Sequence, residues 1–332
     1  MKTRNQNFAI TQLCELFGVS RFAYYRRESR QSSTPDHNEV VLEMVRIIRQ
    51  ELIGIGTPKL YFLLKPNFEA LGIKMGRNKL NELVQNHGLG VKRRKRRYIK
   101  TTDSDHGEQT YPHLVRGFEP DAPHQLWVTD ITFIPYVRRG FCFLTLITDA
   151  YSHKVVGYQL SKTMKAEDCI LALYMALTKL PKNHELIHHS DRGSQFISKL
   201  YSGLLGDNHI KISMTEDGDP KQNAIAERVN GILKVEMKLG KEHLDYHSAS
   251  MAVKSTVERY NYLRPHASCD YLTPDEAHQK TGKLTKRWKN YRKEYAIRMK
   301  MQNDAEGLRQ PPAPPGRFVG HDNEDHPTNG EK

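Results

Sequence analysis

Cysteine is scarce in this sequence. Its 332 residues hold four (Cys14, Cys142, Cys169 and Cys269), far apart, with no Cys-x-x-Cys pair and no histidine at zinc-finger spacing. That argues against a disulfide framework and against a structural zinc site, and the apolar or mixed runs around three of the four suit buried, reduced thiols. No apolar run approaches the roughly 20 residues that span a bilayer, and nothing at the N-terminus reads as a secretory signal. The expectation is a cytoplasmic protein with no membrane partner. Acidic residues are also in deficit, 38 against 51 Lys and Arg, for a net charge of +13. Residues 1–120 carry 21 basic and 12 acidic side chains, so most of the excess lies in the front third. A basic front section on a balanced body points to a polyanionic partner held from the N-terminal side; solubility alone is the alternative.

The length suits two or three domains. Residues 8–30 read as two short helices: Ile10, Leu13, Leu16 and Phe17 recur at helical spacing, Gly18 stops the run, and Ser20 caps a basic helix with Arg21, Tyr24 and Arg26. This is the outline of a helix-turn-helix, assigned to 1–36, with Arg21 and Arg26 as DNA contacts. A second helical domain is predicted over 37–91. In it Val41, Met44, Ile48 and Leu52 share one face, Thr57-Pro58 opens a helix as cap and first residue, and another helix runs from Arg77 to a C-terminal stop at Gly88. Arg77 and Lys79 in its first turn suit phosphate and base-edge contacts, although a solvated face explains them equally well.

Lys92, Arg93, Arg94, Lys95, Arg96 and Arg97 are consecutive. Such a block repels itself into an extended form, so 92–120 reads as a linker lying along phosphates. From 121 to 282 the pattern changes. Three strand-like runs (126–134, 141–149 and 154–160) precede a helix at 165–179, a strand at 185–190, a helix at 194–205, a strand at 211–214 and a long helix at 223–239. Three antiparallel strands followed by alternating helices and strands is the element order of a ribonuclease-H-like fold. The class is therefore α/β, a ribonuclease-H-like mixed-sheet core preceded by an all-α helix-turn-helix region. Residues 283–302 form a basic helix with Trp288, Tyr291 and Tyr295 at helical spacing, and the Pro-rich stretch 303–332 is expected to be a disordered tail.

Three carboxylates carry the chemistry. Asp130 lies inside an apolar strand, where an ionised group is costly without a partner such as a divalent cation. Asp191 follows the predicted strand 185–190, at the strand end where such sheets place their sites. Glu227 opens the polar face of an amphipathic helix. At about 100° per residue Asn230 and Lys234 fall near it, while Ile225, Val229 and Ile232 lie opposite. Asp149, which closes the second strand beside a turn, is a rival carboxylate and is read as structural.

These residues resemble the second-frame transposases of a large bacterial insertion-sequence family, relatives of retroviral integrases with an Asp-Asp-Glu site. The motifs are Leu126-Trp127-Val128-Thr129-Asp130-Ile131-Thr132, His189-Ser190-Asp191-Arg192-Gly193, Asn223-Ala224-Ile225-Ala226-Glu227 through Lys234, and Tyr260-Asn261 with Arg264-Pro265-His266. Thirty-five residues separate Asp191 from Glu227, the family's spacing, and Lys234 stands seven after the glutamate. The sequence departs from the family at Lys221-Gln222 and Ser268-Cys269. The resemblance implies metal-dependent DNA cleavage and strand transfer. Two Mg2+ ions (or Mn2+) would be held by Asp130, Asp191 and Glu227, with Lys234 on the terminal phosphate and Asn230 among the DNA contacts. It also implies double-stranded DNA as partner, a homo-oligomer on DNA, and an upstream product joined by frameshifting. A nuclease that never joins and a catalytically silent DNA-binding regulator are the alternatives.

Overall fold

A computed structural model of the chain describes residues 10–16, 18–32, 37–91, 111–136, 140–216 and 223–288, and positions 295, 298 and 299. The cationic block 92–97, Tyr291 and the tail from 303 lie outside the described residues. The chain divides into two compact units, Met1–Arg287 and Trp288–Lys332, and the fold described below is that of the first.

Two short helices, α1 (Ile10–Leu16) and α2 (Arg21–Ser32), meet at Gly18, whose φ of +62° reverses the chain. The Ser20 hydroxyl accepts the Ala23 N–H at 3.1 Å, capping α2 as its sequence suggests. Next come α3 (Asn38–Glu51), α4 (Thr57–Ala70) and α5 (Arg77–Asn86), which ends at Gly88 with φ +67°. Thr57 is not the cap of α4. Gly56 takes that place, and the Thr57 hydroxyl instead donates to Asn81 Oδ1 of α5 at 3.0 Å, tying the two helices together.

Five strands form one mixed sheet in the order β3-β2-β1-β4-β5: β1 (Leu126–Tyr136), β2 (Gly140–Asp149), β3 (Val155–Ser161), β4 (Ile187–Ser190) and β5 (Lys211–Met214). The first three pair antiparallel, and β4 and β5 join parallel to β1. This is the ribonuclease-H-like arrangement. Strand alternation sorts β1 by face. Trp127 and Ile131 point into a core with α6 (Ala166–Leu177), α7 (Ser194–Ile197) and α8 (Lys199–Asp207). Leu126 and Val128 meet Ala226 of α9 (Ala224–Gly231), and Ile134 joins a larger core on that same face. Gly157 of β3 lets α6 come close: a Cβ there would collide with the Ala172 carbonyl.

Four boundaries differ from the sequence expectation. The helix expected at 194–205 is two helices, broken at Ser198, whose side chain caps α8. The helix expected at 223–239 is α9 followed by a π-helical turn, Ile232–Glu236. The expected linker ends sooner than residue 120: Met214 N–H donates to Pro112 O, Leu114 N–H to Ser213 Oγ, and Tyr111 packs on the α6–α8 core. Finally, the buried apolar residues of α3–α5 fall in one contiguous cluster with residues of β1–β3, the π turn and α10 (Tyr246–Tyr262), across the boundary expected at residue 91. Beside it, Lys59 lies 3.7 Å from Glu236, and Phe62 stacks on Tyr271 at 4.8 Å between ring centres.

Candidate active site

The parallel pairs Leu126–Ile187, Trp127–His188 and Val128–His189 end two residues short of Asp130 and Asp191, and the charge of Asp191 acts on Asp130. Asp130 lies within β1, and Asp191 follows β4, the strand paired parallel with it. Each is anchored by the backbone. Ile131 N–H donates to Asp130 Oδ1 at 2.9 Å, and Gly193 N–H donates to Asp191 Oδ1 at 3.1 Å.

Helix α9 crosses β1 on the face that carries Asp130, held by three polar contacts along its length. Asn223 Nδ2 donates to Thr129 O at 2.9 Å, Asn230 Nδ2 to Asp130 Oδ2 at 2.6 Å, and Lys234 Nζ to Thr132 Oγ1 at 3.1 Å. Glu227 stands exposed between the first two. Burial raises the Asp130 pKa to about 7, with the charge of Asp191 as the next cause and that of Glu227 a smaller one; the Asn230 and Ile131 hydrogen bonds oppose it. Burial also raises the Asp191 pKa. Asp130 therefore lies within the field of both other carboxylates, and the donors are all oxygen, the set that hard divalent cations take.

The π turn changes where Lys234 points. On a regular helix it would align with Glu227, but i→i+5 bonds such as Met237 N–H to Ile232 O (3.0 Å) advance less rotation per residue. Lys234 then follows Asn230 along the face toward β1. Burial pushes its pKa down, and the nearby Asp130 works in the other direction.

The sequence assigned Asn230 to DNA. Its side chain is buried and bound to Asp130, so it positions that carboxylate rather than presenting itself to a phosphate. Reading it as one more polar residue on a solvated face missed this, because the partner strand lies about a hundred residues away. Asn223 was missed for the same reason. Arg21 and Arg26 are exposed on α2, and Arg77 and Lys79 are exposed at the start of α5. Asp149 is wholly buried and accepts from His124 N–H, Ser152 N–H and Ser152 Oγ at 2.7–2.8 Å, closing the β2–β3 turn. Burial alone would raise its pKa, but these bonds and His278 outweigh that and lower it.

The raised Asp130 pKa has a measurable consequence. With no divalent cation present, the folded protein retains a proton on Asp130 up to about pH 7, whereas the unfolded chain loses it near 3.8. Stability from this group is therefore fully present below the unfolded value and declines as pH rises through the folded one. Measured by urea unfolding in chelator, the stability of wild type relative to Asp130→Asn should drift downward by a few kcal/mol at most between pH 4 and pH 8. A flat difference would show that the carboxyl is not held in this environment.

Residues 120–220 and 208–274 each match a family model described as an integrase core domain. The insertion element IS600 31 kDa protein of Shigella sonnei is 31% identical over 79% of this chain and 96% of its own length. A transposase for insertion sequence element IS629, also from Shigella sonnei, is 28% identical over 83% of this chain and 93% of its own. Among solved structures, the magnesium-bound HTLV-2 integrase catalytic core domain is 22% identical at a TM-score of 0.40, covering 48% of this chain and 100% of that one.

Proposed function

The chain belongs to the integrase-core transposases of insertion-sequence elements, and on that premise we propose that Asp130, Asp191 and Glu227 are the catalytic metal ligands with which it cuts DNA and joins the cut end to a target. The observation that carries this assignment is the placement of Asp130 on β1, Asp191 just past β4 and Glu227 on α9, the helix that Asn223 and Asn230 fasten to β1; burial and the charges of Asp191 and Glu227 raise the Asp130 pKa accordingly. Such a cluster is costly until a cation neutralises it. Asp130, Asp191 and Glu227 would together hold two divalent ions, Mg2+ or Mn2+, which suit the all-oxygen donors. When bound, they supply the Lewis acid that activates a water or a DNA 3′-hydroxyl and stabilises the leaving oxygen.

The protein's own groups do the rest. Asn230 fixes the Asp130 Oδ2 lone pair, and the Ile131 and Gly193 amides fix one oxygen of each aspartate, so the ligand atoms are set before substrate arrives. Asn223, four residues before Glu227, fastens the start of α9 to β1. Lys234, held toward the same strand, offers a point charge to the terminal phosphate of the element. Lys234→Ala should weaken binding of element ends and lower the slope of log affinity against log salt by about 1, as read by fluorescence anisotropy. An unchanged slope would remove Lys234 from the DNA contacts.

Double-stranded DNA is the substrate of this reading, bound through Arg21, Arg26, Arg77, Lys79 and the 92–97 block, with the chain acting as a homo-oligomer and with an upstream product fused by frameshifting. No helix among the described residues is long and apolar enough to cross a membrane, and we place the protein in the cytoplasm. A strand-transfer assay with pre-cut element ends tests the function. Joined product supports it, cleavage alone would indicate a nuclease, and binding alone a silent regulator.

A further inference from the structure

A second cluster of ligand-type side chains lies away from the three carboxylates. His153 sits in the β2–β3 turn, and His266 and Cys269 belong to the loop after α10. One ring nitrogen from each histidine and the Cys269 sulfur lie within 4.8 Å of one another. Cys269 is fully buried and His266 nearly so. Buried nitrogens normally have partners, yet His153 Nδ1 and both ring nitrogens of His266 are buried with none. The thiol reaches only the carbonyls of Tyr151 and Ser152, at 3.9 and 3.5 Å. Burial lowers His153 to about 4 and His266 well below its ordinary value, so both rings are neutral near pH 7 with a lone pair unused.

The backbone holds these groups in place. His153 has φ +60°, a conformation that side chains rarely adopt, and its carbonyl accepts the Tyr260 hydroxyl at 2.9 Å. Cys269 N–H and Tyr271 N–H both donate to His266 O, and His266 N–H donates to Leu272 O, making a tight loop. The nearest cation, Arg264, is already neutralised by a bidentate pair with Glu236, both contacts at 2.8 Å.

We propose that His153, His266 and Cys269 form a zinc site that staples the β2–β3 turn to the loop after α10, with water as the fourth ligand. Two imidazoles and a thiolate are the donor set that zinc takes and magnesium does not. Binding breaks the Cys269 S–H bond, forms a Zn–S bond and releases the proton to solvent. The two rings now stack at 4.3 Å with 15° between their planes, so one must turn out of the stack for both lone pairs to converge on the ion. The sequence argued against zinc because it has no Cys-x-x-Cys pair and no histidine at zinc-finger spacing; the proposed site depends instead on His153 reaching His266 and Cys269 from the distant β2–β3 turn.

Cobalt separates this site from the carboxylates, because only a thiolate ligand gives a sulfur-to-cobalt charge-transfer band. The full chain, stripped with chelator and titrated with Co2+, should develop that band and saturate it at one equivalent. Cys269→Ser should lose it, and Asp130→Asn should keep it. Zinc should raise the melting temperature of wild type and not that of Cys269→Ser. No thiolate band in the wild-type protein, or a band that survives Cys269→Ser, overturns the proposal. If Cys269→Ser does not fold, His153→Gln decides on the same titration. At least a tenfold loss of cobalt affinity is expected, and unchanged affinity overturns the site.

Discussion

Replacing Asp130 with Asn is expected to reduce strand cleavage and strand transfer together by about 10³-fold or more, while DNA binding stays within a few-fold of wild type. The change keeps the size of the side chain and removes a charge that would hold the proposed ions. One of the two donors at this carboxyl, Asn230 Nδ2 or Ile131 N–H, loses its acceptor when an amide replaces it. That costs about 1–3 kcal/mol, and relief from a buried charge above pH 7 offsets part of it, so the fold should survive. Gel-based cleavage and joining assays on labelled element ends, run beside a binding titration, make the measurement. Cleavage at wild-type rate in this variant would remove Asp130 from the chemistry, and lost binding with a lower melting temperature would make it a folding residue.

The second large effect concerns Arg264, whose guanidinium is wholly buried against Glu236 of the π turn. Burial pushes the Glu236 pKa up, but the hydrogen bonds and charge of Arg264 outweigh it and hold the carboxyl below its usual value. Lys59 of α4 completes the group, lowered to about 8 by burial and then by Arg264. Arg264→Met would leave a partly buried carboxylate without its main partner, and a loss of about 3 kcal/mol is expected by chemical denaturation. Combined with Glu236→Leu, much of that loss should return, because removing both charges avoids an unpaired one. The double variant tests a further point. Glu236 ends the π turn that aims Lys234 at β1, so stability should recover more than strand transfer does. If both recover equally, the ion pair has no part in setting the turn.

The reach of the sequence differs from element to element. The β1–β3 runs, α6 and β4 were legible because alternation and helical spacing are local patterns, and each was placed within a few residues of its observed ends. Gly18, Ser20 and Gly88 were legible as punctuation for the same reason. The π turn was not, since its i→i+5 bonds leave no mark on residue spacing. The break at Ser198 was missed although serine is a good cap, because apolar residues continue on both sides of it. Asn230 and Asn223 look like any polar helix residue until β1 lies beneath them. The helices of 37–91 read as a separate domain since their internal periodicity is complete, yet their buried apolar residues belong to the same cluster as residues of the sheet, the π turn and α10.

The amino-acid order by itself determined which side chains are acidic, how far apart they stand and which strands and helices bear them, because strand and helix periods act over a few residues. Only the tertiary structure decided that Asp130 on β1 comes within the field of Asp191 just past β4, that two asparagines clamp α9 to β1, and that His153 meets His266 and Cys269. Those contacts join residues far apart in the chain, and their geometry follows from sheet register and helix packing rather than from any local pattern.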